Sequence, residues 1–196
     1  MKQLIAVVGP SGVGKTALVR ALAKTGKFQT AYEEHAERPF HALFKADARY
    51  ALANQIDYLL RSAEQEKELR ASPRIGLIDG GLDHDFHGFT RLFHSQGLLS
   101  DPEFDLCRGV YGFIRSLLPR PELILRLYAD ETAVMSRLAG RDRINIASAA
   151  DITLFNAFLD EWLATIPEKQ VMVLDVSNET LDYERSVKIV LDRIRD

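Results

Sequence analysis

Runs rich in Val, Ile and Leu, or bounded by turn residues, recur along the chain at Leu4 to Val8, Phe28 to Glu33, Ile75 to Asp79, Leu123 to Ala129 and Val171 to Val176. The segments between them carry apolar residues at helical spacing. Strands alternating with helices in this way predict an α/β architecture, a parallel sheet covered by helices on both faces. Prolines and glycines fall mainly at the joints, as at Pro73, Gly80-Gly81, Pro119 and Pro121, and no repeat or low-complexity linker divides the chain. The pattern therefore predicts a single domain over residues 1–196. The longest helical candidate runs from about Pro39 towards Arg70, long enough to pack across much of the molecule or against a second copy.

Composition narrows the possibilities. At 196 residues and 46% hydrophobic content the chain can bury an ordinary core. A net charge of -3 gives no general basic field, which argues against bulk nucleic-acid binding and requires any anion site to be built locally. Cys107 is the sole cysteine, so no intrachain disulfide and no Cys-based zinc site can form, as suits a reducing compartment. The start Met1-Lys2-Gln3 leads straight into the first strand, and no apolar run is long enough to span a bilayer. These features predict a soluble, cytoplasmic protein without membrane or nucleic-acid partners.

Directly behind the first strand stands Gly9-Pro10-Ser11-Gly12-Val13-Gly14-Lys15-Thr16, followed by the helical Ala17 to Ala23. This is the phosphate-binding loop G-x-x-x-x-G-K-[ST] in its strand-to-helix setting. Glycines at 9, 12 and 14 let successive backbone N–H groups converge on phosphate oxygens at a helix start. Lys15 is placed to neutralise the β and γ phosphates of ATP and the Thr16 hydroxyl to hold magnesium. The alternative is a chance Gly-rich turn before a helix; the strand ahead of the loop and the helical Ala17 to Ala23 behind it favour the phosphate site.

Ligands of a parallel sheet sit beyond the carboxyl ends of the strands, so strand-end residues are the next candidates. The second strand ends in Glu33-Glu34 and the third in Asp79-Gly80-Gly81. Asp79 follows Leu77-Ile78 as a magnesium-holding aspartate does, and Glu33 can accept a proton from an attacking hydroxyl; both can also be ordinary surface acids. Gln55 lies within an apolar helical stripe of Ala48, Ala51, Leu52, Ile56 and Leu59, so its amide is met either by core backbone groups or by a ligand edge. Arg137 and Arg141 share a helix face, and Gly140 predicts its opening into a loop bearing Arg143: either a set of phosphate donors or a solvated basic helix end. Asp83, His84, Asp85 and His87 lack zinc spacing and read as a solvated polar helix start. Phe155, Phe158, Leu159 and Trp162 read as core or dimer packing.

Taken in order, Glu33, Pro39-Phe40, Phe44, Asp47, Arg49-Tyr50, Gln55, Asp79-x-x-Leu82-Asp83-x-Asp85, Pro121-Glu122-Leu123 and Arg137-x-x-x-Arg141-x-Arg143 resemble the deoxynucleoside kinase family, most of all its bacterial deoxyguanosine and deoxyadenosine kinase branch. The resemblance covers most of the chain. It implies a P-loop kinase fold on a five-stranded parallel sheet, a homodimer, and transfer of the γ-phosphate of ATP to the 5′-hydroxyl of a nucleoside, first of all a purine deoxynucleoside. It implies Glu33 as catalytic base, Asp79 as the acid near magnesium, and Arg141 and Arg143 on a short lid near residues 137–146 with Arg137 on the nucleotide. On the substrate side it implies Gln55, Phe44 and Asp85.

The sequence departs from the family on that same side. Lys45 stands where a sugar-binding tyrosine is expected, Gly80 where an arginine often follows the third-strand acid, and Ile146 where the lid carries a glutamate. Missing polar partners of this kind can shift selectivity by orders of magnitude. Two other readings therefore stay open: a nucleoside monophosphate or other small-molecule kinase using Arg38 or Arg49 on a second phosphate, and a nucleotide-binding regulatory protein without turnover.

Overall fold

A computed structural model describes residues 3–32, 38–139, 149–180 and 182–195 of the chain. Glu33, Gly140, Arg141, Arg143 and Ile146 lie outside the described residues. Strand β1 (Leu4–Val8) is buried along its whole length, as a central strand covered on both faces must be. Beside it lie β3 (Ile75–Asp79) and β4 (Leu123–Tyr128), with β2 (Phe28–Ala31) and β5 (Val171–Asp175) outermost. The order β2-β3-β1-β4-β5 is parallel throughout. The chain thus winds out on both sides of β1, which puts the end of β1 at the place where such sheets bind ligands. β2, β4 and β5 stop one or two residues short of the ends that the sequence predicts.

Odd and even positions of the strands feed separate cores. Ile5, Val7, Leu77 and Leu125 pack with Leu18, Val19 and Leu22 of α1 (Lys15–Ala23) and Val190 of α9 (Glu184–Arg193). Leu4, Ala6, Ile78 and Ile124 face Phe155, Leu159 and Trp162 of α8 (Ala149–Leu163), which makes that aromatic stripe core packing.

The long helix expected from Pro39 towards Arg70 is two helices, α2 (Pro39–Ala46) and α3 (Ala51–Ala71), parted by a 3₁₀ turn over Ala48–Tyr50. Asp47 makes the break. Its backbone is extended, its carboxylate accepts the Arg49 N–H at 2.9 Å, and the same carboxylate pairs with the Arg49 guanidinium at 2.7 Å. Such a local side chain to backbone bond competes with helix continuation.

After β3 the chain forms α4 (Leu82–His84), a π turn over Asp85–Thr90 and α5 (Arg91–Ser95), then α6 (Asp101–Leu117), which starts in a capping box of Ser100 and Glu103. Helices α3 and α6 enclose a third core with Leu59, Leu82, Phe86, Cys107 and Ile114. Helix α7 (Glu131–Ala139) follows β4.

A buried ionic network binds these helices to the end of β3. Arg115 donates to both oxygens of Glu66 at 2.8 Å and to both oxygens of Asp83 at 3.0 Å. Glu66 Oε1 also accepts the Leu82 N–H at 3.1 Å, and the Tyr111 hydroxyl donates to Asp83 at 2.7 Å. Burial raises the Glu66 carboxyl against the pull of Arg115, while the two carboxylates hold the guanidinium charged. Removing one member leaves the others buried without compensation. Arg115→Met is expected to cost about 3–5 kcal/mol in urea unfolding, against less than about 1 kcal/mol for the exposed Arg108→Met.

Two imidazoles are buried nearby. Burial, with Lys15 and Arg126 facing it, pushes His84 from 6.5 down to about 3. Burial, with Arg91, Arg115 and Arg120 outweighing Asp83, pushes His87 down to about 4. The native state therefore refuses protons that the unfolded chain accepts, so the fold is unpenalised above 6.5 and loses stability as pH falls below it. Urea midpoints are expected to drop between about pH 7 and about pH 4.5, with a slope approaching about 1.4 kcal/mol per pH unit for each imidazole. A flat profile would contradict neutral burial of both rings.

Candidate active site

The phosphate loop joins β1 to α1 and is buried for most of its length. Gly14 sits at φ 111, and a Cβ there would collide with the hydroxyl of Tyr183, so the backbone at this point admits glycine alone. The Lys15 ammonium is folded back onto its own loop, donating to the carbonyls of Gly9 at 3.0 Å and Pro10 at 3.2 Å. Arg137 reaches across from α7 to donate to the carbonyls of Val13 at 2.8 Å and Val176 at 2.7 Å. The loop's carbonyl oxygens are thus drawn towards cations of the protein, and away from where an anion would sit.

Strand pairing sets Val7 opposite Asp79, which brings the carboxylate at the end of β3 beside the start of α1. The Thr16 hydroxyl donates to Asp79 at 2.5 Å, and Asp79 is buried. A hydroxyl and a carboxylate so placed are hard oxygen donors of the kind magnesium takes, with phosphate oxygens and water completing its shell. Among the described residues no group of three or more His, Cys, Asp or Glu could hold a metal without such help.

The segment beyond Asp79 differs from the expectation of a solvated polar helix start. Asp83, His84 and Asp85 are all buried. Asp83 belongs to the Arg115 network, His84 Nε2 lies 2.9 Å from the Gly9 carbonyl, and Asp85 accepts from the Ser62 hydroxyl. His87 Nε2 donates to the Tyr111 oxygen at 3.1 Å. Each polar group found a buried partner from a distant part of the chain, which the local sequence does not reveal.

Asp79 and Asp85 also line a narrow cleft with Gly81, Arg38 and four residues of α3, Tyr58, Arg61, Ser62 and Gln65. The cleft has room for about one water molecule, so a larger guest must part these side chains. Arg38 is clamped by both carboxylate oxygens of Asp57, and Gln65 donates to the Tyr32 carbonyl at 3.0 Å, next in sequence to Glu33. The α3 residues were missed from the sequence, although their spacing of i, i+3, i+4 and i+7 marks one polar face beside the apolar stripe. A larger cavity of about 220 Å³ opens beside Pro10 between the end of β4, α7 and α8, but Lys15, Thr16 and Asp79 do not line it.

Of the remaining predicted residues, Gln55 is buried on α3 and its Oε1 accepts from the Thr90 hydroxyl at 2.9 Å. Phe44 packs its ring 5.0 Å from that of Phe93. Arg49 is exposed and paired with Asp47, away from the cleft, and Lys45 is exposed. Among the described residues no helix is long and apolar enough to cross a membrane.

Comparison with known proteins agrees with this geometry. The sequence profile of the family described as deoxynucleoside kinase matches residues 5–196. A curated deoxyadenosine/deoxycytidine kinase of Bacillus subtilis (strain 168) is 22% identical over 197 aligned positions, covering 97% of this chain and 91% of its own. The fold is similar to that of deoxyadenosine kinase from M. mycoides solved with dATP, at a TM-score of 0.78 and 16% identity over 98% of this chain and all of that one. Structures of the deoxyadenosine kinase solved with dCMP and dCDP, and with dCTP, give TM-scores of 0.79 and 0.80 at 17% and 15% identity, each over 98% of both chains. With the phosphate loop, the third-strand acid and the five-stranded parallel sheet in place, the chain belongs to the deoxynucleoside kinase family, the phosphotransferases that phosphorylate nucleosides from ATP.

Proposed function

We propose that the enzyme transfers the γ-phosphate of ATP to the 5′-hydroxyl of a purine deoxynucleoside, with deoxyadenosine the first acceptor to test. One observation carries this reading: Asp79 is at once the partner of Thr16 in the phosphate loop and part of the wall of the α3 cleft. Donor and acceptor sites therefore meet at one carboxylate. The B. subtilis relative and the M. mycoides structures are named for deoxyadenosine, and adenine carries an exocyclic amino group that the Asp85 carboxylate is suited to accept.

In this reading the residues from Gly9 to Thr16 cradle the triphosphate, Lys15 leaves its two carbonyls to neutralise it, and Thr16 with Asp79 holds magnesium, whose charge offsets that of the phosphates. Glu33 takes the proton of the 5′-hydroxyl as that oxygen forms its bond to the γ-phosphorus and the bond to the β-bridging oxygen breaks, releasing ADP. Arg141 and Arg143 bring guanidinium donors to the phosphoryl oxygens on a lid over residues 137–146, anchored by Arg137 on the Val13 carbonyl. Phe44 packs beside the base, and Thr90 on Gln55 Oε1 turns the amide edge of Gln55 towards it. Tyr58, lining the cleft, supplies the phenol that position 45 lacks. Arg38 is engaged by Asp57 and Arg49 by Asp47, which disfavours a second phosphate on the acceptor.

We place this single-domain enzyme in the cytoplasm, where the buried Cys107 thiol, pushed up to about 11 by burial, stays reduced. We propose further that it is a homodimer through α6. Leu106, Phe113 and Leu117 are exposed at 52%, 67% and 67%, and with half-buried Val110 they form a stripe at heptad spacing. Gly109 and Gly112 lie in the same helix with open space around them, although glycine there weakens the helix by about 1 kcal/mol each relative to alanine. Close approach of another helix explains both features.

Magnesium-dependent ADP release is expected to saturate with deoxyadenosine and to be slower with deoxyguanosine, ribonucleosides and monophosphates. Lys15→Ala and Glu33→Gln are each expected to lower kcat at least about a hundredfold. An unchanged rate in Glu33→Gln would remove it as base, and a preference for monophosphates would overturn the acceptor. Light scattering is expected to give a dimer for the wild type and a monomer for Phe113→Glu with thermal stability retained; a wild-type monomer would refute the α6 interface.

A further inference from the structure

His84 serves no step of the transfer as described, yet it is among the most buried polar side chains of the protein, 1% exposed. Its Nε2 lies 2.9 Å from the Gly9 carbonyl, which can only accept, so Nε2 carries the proton and Nδ1 is a bare lone pair. Nδ1 has no hydrogen-bond partner among the described residues and stands 4.0 Å from Asp85 Oδ1. Edge-on rings of Phe89 and Phe155, each 5.4 Å away, hold the imidazole in place. Gly80 completes the pocket: a Cβ on it would stand 3.2 Å from Nδ1, and its φ of 85 disfavours any side chain. The glycine that stands where an arginine is expected leaves the imidazole room under the phosphate loop.

The Gly9 carbonyl accepts from two donors, His84 Nε2 and Lys15 Nζ. In the proposed role, Lys15 leaves that carbonyl as it turns to the triphosphate. We infer that His84 is a positioning residue for the phosphate loop, keeping the Gly9 carbonyl bonded and turned inward when Lys15 moves to the triphosphate. The inference rests on the proposed role of Lys15 towards ATP. Without nucleotide the carbonyl has both donors, so losing the imidazole N–H still leaves one. With nucleotide bound it has His84 alone, and losing that N–H leaves a buried acceptor unsatisfied. The interaction is therefore worth more in the nucleotide-bound state, which is the condition for influencing affinity. Burial keeps the imidazole neutral, so it does not compete with Lys15 as a second cation.

The test compares His84→Phe, which keeps a ring against Phe89 and Phe155 but has no donor, with His84→Gln, whose amide nitrogen can take the place of Nε2. Magnesium-ATP binding by calorimetry, steady-state kinetics with both substrates and melting without ligand are measured for each. His84→Phe is expected to weaken ATP binding and raise the ATP KM about tenfold, the size of one hydrogen bond, while the nucleoside KM and the ligand-free melting temperature stay near wild type. His84→Gln is expected to recover most of the ATP affinity. Unchanged ATP binding in His84→Phe, equal losses in both variants, or a parallel rise in the nucleoside KM would each overturn the inference. Because ATP binding is read directly, these outcomes stand apart from failure of the nucleoside kinase reading, in which the wild type itself binds ATP but transfers to no nucleoside.

Discussion

An anion site made from backbone N–H groups works only if the carbonyl oxygens of the same loop are held elsewhere. Every peptide brings one of each, and an oxygen turned towards the anion opposes the charge that the N–H attracts. Here the oxygens of Gly9, Pro10 and Val13 are bound by Lys15, His84 and Arg137, which come from α1, α4 and α7. The loop is therefore set by contacts from three directions, of which the sequence motif contains only one. Tyr183 adds a wall against Gly14 that fixes the remaining backbone.

The same constraint reaches the acceptor side through the segment after β3. Glu66 meets the Leu82 N–H, Arg115 meets Glu66 and Asp83, and Tyr111 meets Asp83, so the turn that carries Asp79, His84 and Asp85 is pinned to α3 and α6. Burying these ions makes little net contribution to stability compared with apolar packing, but a guanidinium shared between two carboxylates accepts few geometries. What the network supplies is the position of three side chains, one towards Thr16, one under the loop and one into the cleft.

How much of this could be read in the sequence follows from where each partner lies along the chain. The bounds of β1 and β3 and the phosphate loop were legible because the apolar runs and the glycine spacing are local signals. The meeting of Thr16 with Asp79 was legible one step further, since parallel strands end on a common side. The helix break at Asp47 was missed because an aspartate that bonds its own neighbourhood looks like any helix-surface acid. Burial of Asp83 and His84 was missed because their partners stand 32 and 75 residues away, and a polar residue gives no sign of a distant counterpart. The polar face of α3 lies between these cases: its periodicity was visible, but the apolar stripe beside it drew the reading to Gln55.

The departures on the substrate side then take a different meaning. Taken singly, Gly80 is the loss of an arginine and Lys45 the loss of a tyrosine, and both point to decay. Taken with the structure, Gly80 spares His84 a close Cβ contact, and Tyr58 places a phenol in the cleft from another helix. A chain losing its function would drop donors without refilling the volume they leave, because nothing would favour a buried imidazole with one unmatched nitrogen over an apolar side chain of the same size. The imidazole N–H on the Gly9 carbonyl is the compensating interaction, and in the inference above it is worth more once Lys15 has turned to a charged nucleotide.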